Sequence, residues 1–317
     1  MNNCTVASLI NFEAEEAPPW RENTGKPVYS VKEMIQAITE YQDKWRNMKG
    51  TIREETLKKV DRCFMRKFLY HINIEEGHGC NTMEGVESCL EMGSGIISPR
   101  DLSEKERETV NLLRAYSYLL DEVKKVEDGD EENKLHGLLE INLVKEIHKF
   151  ILEGIALPKN LTKPGEFSEK ERATCFRGEV YEYAKPEDLE LKVQTLLDRY
   201  NDLITYCVKE EEDPEDQTYK MFKTCTFLLF ELLDLHPFGD GNGRLCRLLC
   251  SYALSSVTPF PTPIYNVWSE SKKDDYVQAL VDARKCTNRH PTSLTTMIIE
   301  CNYHGWKKFF EELEKGG

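Results

Sequence analysis

Apolar residues recur at helical spacing along most of this chain. From Val31 to Phe68, Met34, Ile35, Ile38, Tyr41, Trp45 and Met48 fall at roughly helical spacing, the signature of one buried helix face. Leu102 to Val126 repeats the pattern through Leu112, Leu113, Tyr116, Leu119 and Leu120, and Leu138 to Ile155 repeats it again. Pro186 to Ile204 opens on Pro-Glu-Asp, a favourable first turn, and continues through Leu189, Val193, Leu196, Leu197 and Tyr200. The acidic run Val208 to Gln217 reads as a solvated loop. From Tyr219 to Leu235 apolar side chains surround the helix on nearly every side, which places it at the centre of the domain. The glycine-rich turn Gly239 to Gly243 interrupts it, and Leu245, Leu248, Leu249 and Tyr252 resume helical spacing up to Pro259. Between Thr174 and Tyr183 the alternation of Cys175, Arg177, Glu179, Tyr181 and Tyr183 predicts a small hairpin. Tyr276 to Arg284 and Ser293 to Leu313 read as closing helices. The expectation is an all-α fold, compact and without linkers, carrying a small β-hairpin. Residues 1–70 form an N-terminal helical region, 71–290 the central domain and 291–317 a C-terminal helix.

A length of 317 residues with 40% hydrophobic and 10% aromatic content is enough to bury a core. The 42 Lys and Arg against 56 Asp and Glu give a net charge of −14, which argues against nucleic acid or an anionic membrane as partner. Any polyanion must therefore be gripped locally. No apolar run reaches spanning length, and Met1 to Pro18 lacks the basic flank of a signal peptide. Eleven scattered cysteines, with Cys246 and Cys250 one helical turn apart, read as free thiols in a reducing compartment. No Cys-x-x-Cys pair or histidine cluster supports structural zinc. A cytoplasmic location is expected, with the nucleus as an alternative.

The chemistry concentrates in His236-Pro237-Phe238-Gly239-Asp240-Gly241-Asn242-Gly243-Arg244-Leu245-Cys246-Arg247. Glycines flanking Asn242 allow positive φ and turn several N–H groups toward one point before a helix N-terminus, which makes a phosphate cradle. Arg244 and Arg247 share a helix face and offer forked donors to further phosphate oxygens. Asp240 is a hard oxygen ligand suited to magnesium. His236, neutral near physiological pH, can accept a proton from an attacking hydroxyl. Singly, each feature has a plainer reading as a cap, a turn or a solvated charge. The Gly-Lys-Ser/Thr ending of a Walker loop is absent.

This segment resembles the signature of the Fic family, His-x-Phe-x-Asp/Glu-Gly-Asn-Gly-Arg-x-x-Arg, at every fixed position, and weaker matches run from about Cys80 to about Arg284. The resemblance implies an all-helical domain that transfers AMP from ATP to a Ser, Thr or Tyr hydroxyl of a target protein. His236 would be the base, and Asp240 would coordinate Mg²⁺. The amides of Gly241 to Gly243 together with Asn242 would hold the phosphates, and Arg244 and Arg247 would polarise the distal ones. Phe238 would pin the loop to the core. Pro164-Gly165-Glu166-Phe167, followed by Cys175 to Tyr183 and Pro186, resembles the family's flap, on which the target docks near residues 175–183. Ser168 stands where that flap usually carries an arginine. Tyr276 resembles the helix near the adenine, or is a core aromatic.

Cys80-Asn81-Thr82-Met83-Glu84-Gly85 resembles the family's inhibitory motif, Ser/Thr-x-x-x-Glu-Gly/Asn, with Cys80 in place of the hydroxyl residue. The resemblance implies that Glu84 pairs with Arg247 and blocks the γ-phosphate; the alternative is an ordinary helix-terminal glutamate. Removal of AMP, transfer of UMP, phosphate or phosphocholine, and a non-catalytic nucleotide-binding interaction domain are the competing functions. Residues Met1 to Tyr70 offer a surface for a homodimer or a target. Cys246 reads as a small buried filler.

Overall fold

The computed structural model describes residues 6–21, 28–93, 102–127, 137–158, 161–209, 213–269 and 273–316. Helix α1 (Val31–Met48) opens on a capping box, with the Ser30 hydroxyl accepting from the Glu33 N–H and the Glu33 carboxylate accepting from the Ser30 N–H. The apolar rhythm that runs from Val31 to Phe68 spans two helices, not one. A 3₁₀ turn, Lys49–Thr51, and extended backbone at Ile52 break it before α2 (Glu54–Glu76). The break falls at Gly50, whose missing side chain weakens a helix, while the apolar phase carries across it. Gly77, with φ 71°, ends α2 in the left-handed conformation typical after a helix terminus.

Helix α3 (Met83–Gly93) was not legible from periodicity, because eleven residues offer only Val86, Cys89 and Leu90 as buried contacts. Then follow α4 (Glu104–Glu127), α5 (Ile141–Ile151), the antiparallel hairpin β1 (Ala173–Phe176) and β2 (Glu179–Glu182), and α6 (Leu189–Lys209). Helix α7 (Pro214–Leu235) begins inside the acidic run expected to be loop, since Asp213 caps the N–H groups of Glu215 and Asp216 and Pro214 fits the first turn. The chain ends in α8 (Asn242–Ala253), α9 (Lys273–Lys285) and α10 (Thr292–Gly316). The fold is all-α with one two-stranded hairpin, as the sequence implies.

Helix α7 is buried on every face, from Thr218 to Leu233, and packs against α1, α6, α8 and α10. One continuous apolar cluster runs from Val6 to Leu313. The N-terminal segment is pinned to α10 by the buried Glu300, which accepts from Trp20 Nε1 (3.0 Å), Arg21 Nε (2.5 Å) and Trp268 Nε1 (2.7 Å). Three donors on one carboxylate are what a buried charge requires. The ten described cysteines are free. Among the described residues no helix is long and apolar enough to cross a membrane.

Candidate functional site

Helices α7 and α8 meet at the segment singled out by sequence. His236 caps α7 in the left-handed conformation (φ 48°, ψ 57°) and donates its N–H to Leu232 O at 3.0 Å. Gly241, at φ 74°, precedes α8 and takes the positive φ that the turn requires. Asn242, the first residue of α8, binds the loop to itself: Nδ2 donates to Phe238 O (2.8 Å) and Oδ1 accepts from Phe238 N (3.0 Å), at 2% exposure. The Asn242 side chain therefore shapes the cradle and is not free for phosphate. The first N–H groups of α8 lack helical partners and carry the positive end of its dipole.

A carboxylate already sits there. Glu76, the last residue of α2, places Oε1 2.8 Å from Arg247 Nε and Oε2 3.4 Å from Lys273 Nζ. Its carboxylate lies so close over Gly243 that any Cβ at that position would overlap it. Gly243 has no positive φ; its missing side chain is what lets the Glu76 carboxylate sit this close. A glutamate at the C-terminal end of a helix faces the negative end of its own dipole. Arg247, Lys273 and the N-terminus of α8 offset that cost. Burial works against the Glu76 charge, but Arg247 and then Lys273 hold the carboxyl below its usual range.

Arg247 is 1% exposed, donates to Ile264 O, and stacks its guanidinium 4.3 Å from the ring centroid of Tyr276. Its Nη2, 3.9 Å from Glu75, makes no hydrogen bond. Burial opposes the charge on Arg247, yet Tyr276, Glu76 and Glu75 leave its pKa above the usual value. Arg244, 2% exposed, lies 3.5 Å from Asp240 and 3.7 Å from Glu108, and its Nη1 is buried without a hydrogen bond. Two buried guanidiniums with spare donors therefore flank the helix N-terminus. Asp240 is more open: Oδ1 accepts the Gly241 N–H at 2.6 Å, and no hydrogen bond from the described residues engages Oδ2. One accessible carboxylate beside a phosphate cradle fits magnesium, which takes few protein ligands and completes its shell with phosphate and water.

The His236 ring is held from the hairpin side. Tyr183 stacks on it at 4.1 Å with planes 10° apart, and Nδ1 is buried without a hydrogen bond. Burial, then the nearby Arg172, lowers its pKa to about 4, so the ring is neutral at physiological pH and able to take a proton.

Sequence reasoning missed several site residues. His148, on α5, stacks on Phe238 at 3.7 Å, and its Nδ1 accepts the Gly165 N–H at 2.9 Å. That bond fixes the proton on Nε2, which donates to Asp240 O at 2.9 Å. His148 thus ties the Pro164–Phe167 turn to the loop. Glu108 on α4 accepts from Gly79 N (2.6 Å) and pairs with His78 (2.8 Å), fastening the chain just after Glu76.

The pairing of Glu84 with Arg247 expected from the sequence is not found among the described residues. Glu84 is exposed in the first turn of α3, and the carboxylate on Arg247 belongs to Glu76. Glu76-Gly77 is the other Glu-Gly pair of this region, preceded at the motif spacing by Ile72 where a hydroxyl residue is expected. What selects it is the helix end: Gly77 stops α2 so that Glu76 projects at the N-terminus of α8. The structure brings His236, Asp240, Gly241, Asn242, Gly243, Arg244, Arg247 and Tyr276 together and leaves Glu84 outside. Tyr276 is 3% exposed beneath Arg247.

Fold and site define a helical protein whose helix junction grips an anion beside a neutral histidine. Residues 138–254 match the model of the Fic/DOC family, whose members are generally transferases. It is 27% identical over 135 residues to a Fido domain-containing protein of Dictyostelium discoideum, across 42% of this chain and 84% of that protein. It is 29% identical over 162 residues to the ribonucleoside-diphosphate reductase small chain of Ostreid herpesvirus 1 (isolate France), across 50% of this chain but only 25% of that protein. A Fic domain-containing signaling protein of Bacteroides thetaiotaomicron VPI-5482 shares the fold with a TM-score of 0.61 at 20% identity, covering 88% of this chain and 95% of that one.

Proposed function

We propose that this protein is an adenylyltransferase that moves AMP from ATP onto a Ser, Thr or Tyr hydroxyl of a target protein and is held inactive by Glu76. The observation that carries this is the Glu76 carboxylate lodged on Arg247 and Gly243, because a place shaped for an internal anion suits a terminal phosphate oxygen when that anion leaves. His236 takes the proton from the target hydroxyl, whose oxygen forms a bond to the α-phosphorus as the bond to pyrophosphate breaks. AMP stays on the target. Arg244 and Arg247 stabilise the charge on the departing pyrophosphate. Asp240 would hold Mg²⁺, which when bound neutralises phosphate charge. The target docks on the hairpin, where among the described residues β1 and β2 pair only with each other and Val180 is 71% exposed.

The test is incorporation of α-labelled ATP by the wild type, Glu76→Gly, Glu84→Gly, and Glu76→Gly with His236→Ala. Displacing an interaction of about 2 to 4 kcal/mol corresponds to roughly 30- to 1000-fold in occupancy. Label should rise on that scale in Glu76→Gly, stay at the wild-type level in Glu84→Gly, and vanish without His236. No label in Glu76→Gly, despite ATP binding, sinks the proposal. Because Glu76 also acts electrostatically on His236, a carboxylate and a neutral imidazole share one site, which favours removal of AMP as the second reading. In that case the wild type releases AMP from modified protein and Glu76→Gly does not.

A further inference from the structure

We propose that Tyr183 and Arg172, at the base of the hairpin, are positioning residues that clamp His236 for proton transfer. The inference rests on the reading of His236 as the base.

His236 needs external support. A non-glycine residue in the left-handed region is strained and persists only where its surroundings over-determine it. Its ring has only the Leu233 carbonyl of its own helix beside it, and Nδ1 makes no well-formed hydrogen bond. A base that is free to swing loses much of the benefit of proximity.

The hairpin supplies the missing constraint at successive points of one short segment. Tyr181 donates its hydroxyl to Asp234 Oδ1 at 2.8 Å, two residues before His236. Tyr183 covers the imidazole face at 4.1 Å. Arg172 donates through Nη1 to Pro237 O at 3.4 Å, one residue after His236, and through Nη2 to Ala184 O at 2.7 Å. Tyr183 N donates to Arg172 O at 2.9 Å, so both residues close the hairpin at the same rung. Arg284 of α9 donates to the same Asp234 Oδ1 at 2.5 Å and lies 3.9 Å from the Tyr181 ring. A hairpin that receives a target at its open edge therefore has its base fastened to residues 234–237, and the base position and the docking surface are mechanically one unit.

Arg172 has a second effect. The charged groups acting on His236 are Arg172 before β1, Arg284 on α9 and Glu76 on α2, with the Leu233 carbonyl one turn back. Burial is the largest cause of the lowered His236 pKa, Arg172 the next, and Arg284 acts in the same direction. Glu76 and Leu233 act the other way. A guanidinium that grips Pro237 thus also keeps the neighbouring imidazole unprotonated.

Two measurements test this. In the Glu76→Gly background, Tyr183→Leu should lower kcat by about tenfold or more while KM for ATP changes by less than about threefold, and Tyr183→Phe should recover most of the rate because the ring is kept. A Tyr183→Leu enzyme as fast as its parent overturns the positioning role. Independently of turnover, histidine NMR of the full chain should show His236 ring-current shifts that disappear in Tyr183→Leu. The same spectra should show a His236 pKa that rises by about one unit in Arg172→Gln. Spectra unchanged by both substitutions overturn the clamp. If Glu76→Gly transfers no label while the His236 spectra shift as stated, the transferase reading fails and the clamp stands.

Discussion

Asn242 decides whether the loop between α7 and α8 has one shape. Its amide satisfies both the N–H and the C=O of Phe238, a residue with 0% exposure. Asn242→Ala strands two buried backbone groups, each costing about 1 to 3 kcal/mol when unsatisfied. We expect a loss of roughly 2 to 4 kcal/mol in urea unfolding; an unchanged midpoint would show that the staple holds nothing. This role was hidden at the level of sequence because an asparagine between glycines reads equally as a ligand to phosphate or as a turn residue. His236, Asp240, Arg244 and Arg247 were legible because their chemistry lies within twelve consecutive residues. Glu76, His148, Glu108 and Arg172 were not, because each reaches the site from another element and nothing in its local spacing announces the contact.

Elements were legible where apolar rhythm and caps agree, as at α7, whose burial on all faces follows from its composition. They were misread where the rhythm ignores a break, at Lys49–Thr51, or where a helix is short, at α3. The hairpin carries its own local conflict. Its two turn residues, Arg177 (φ 49°) and Gly178 (φ 83°), both have positive φ, a geometry that favours Asn-Gly over Arg-Gly. The surface contacts Arg177 to Gln278 (2.8 Å) and Lys285 to Glu179 (2.6 Å) return little. Arg177→Asn should therefore stabilise the hairpin by about 0.5 to 1 kcal/mol. Slower hydrogen exchange at the amides of 173–183, with the rest of the chain unaffected, is the expected reading; unchanged exchange there refutes the strain argument. A firmer hairpin would also hold Tyr183 more tightly over His236.

At the scale of the whole molecule, the neutral histidines impose a cost in acid. His71, His148 and His236 are each lowered to about 4, first by burial in every case. In the unfolded chain these rings titrate near 6.5. Between those values the unfolded state binds protons that the folded state refuses, so stability falls as the pH drops from about 6.5 toward 4. Three such rings give a slope of up to about 4 kcal/mol per pH unit. Glu75, Glu231 and Asp61, raised chiefly by burial, take up protons in the folded state and reduce that slope. Unfolding free energies from urea melts at pH 7, 6 and 5 should therefore decline steadily, and unfolding at pH 5.5 should take up protons from buffer. His148→Gln, which removes one titrating ring, should flatten the profile while weakening the tie from Gly165 to Asp240. A stability that is flat or rising from pH 7 to pH 5 would mean that the rings are not buried neutral. The base role of His236 would then lose its physical footing, since an imidazole that is readily protonated in the folded protein is a poor acceptor for the hydroxyl proton.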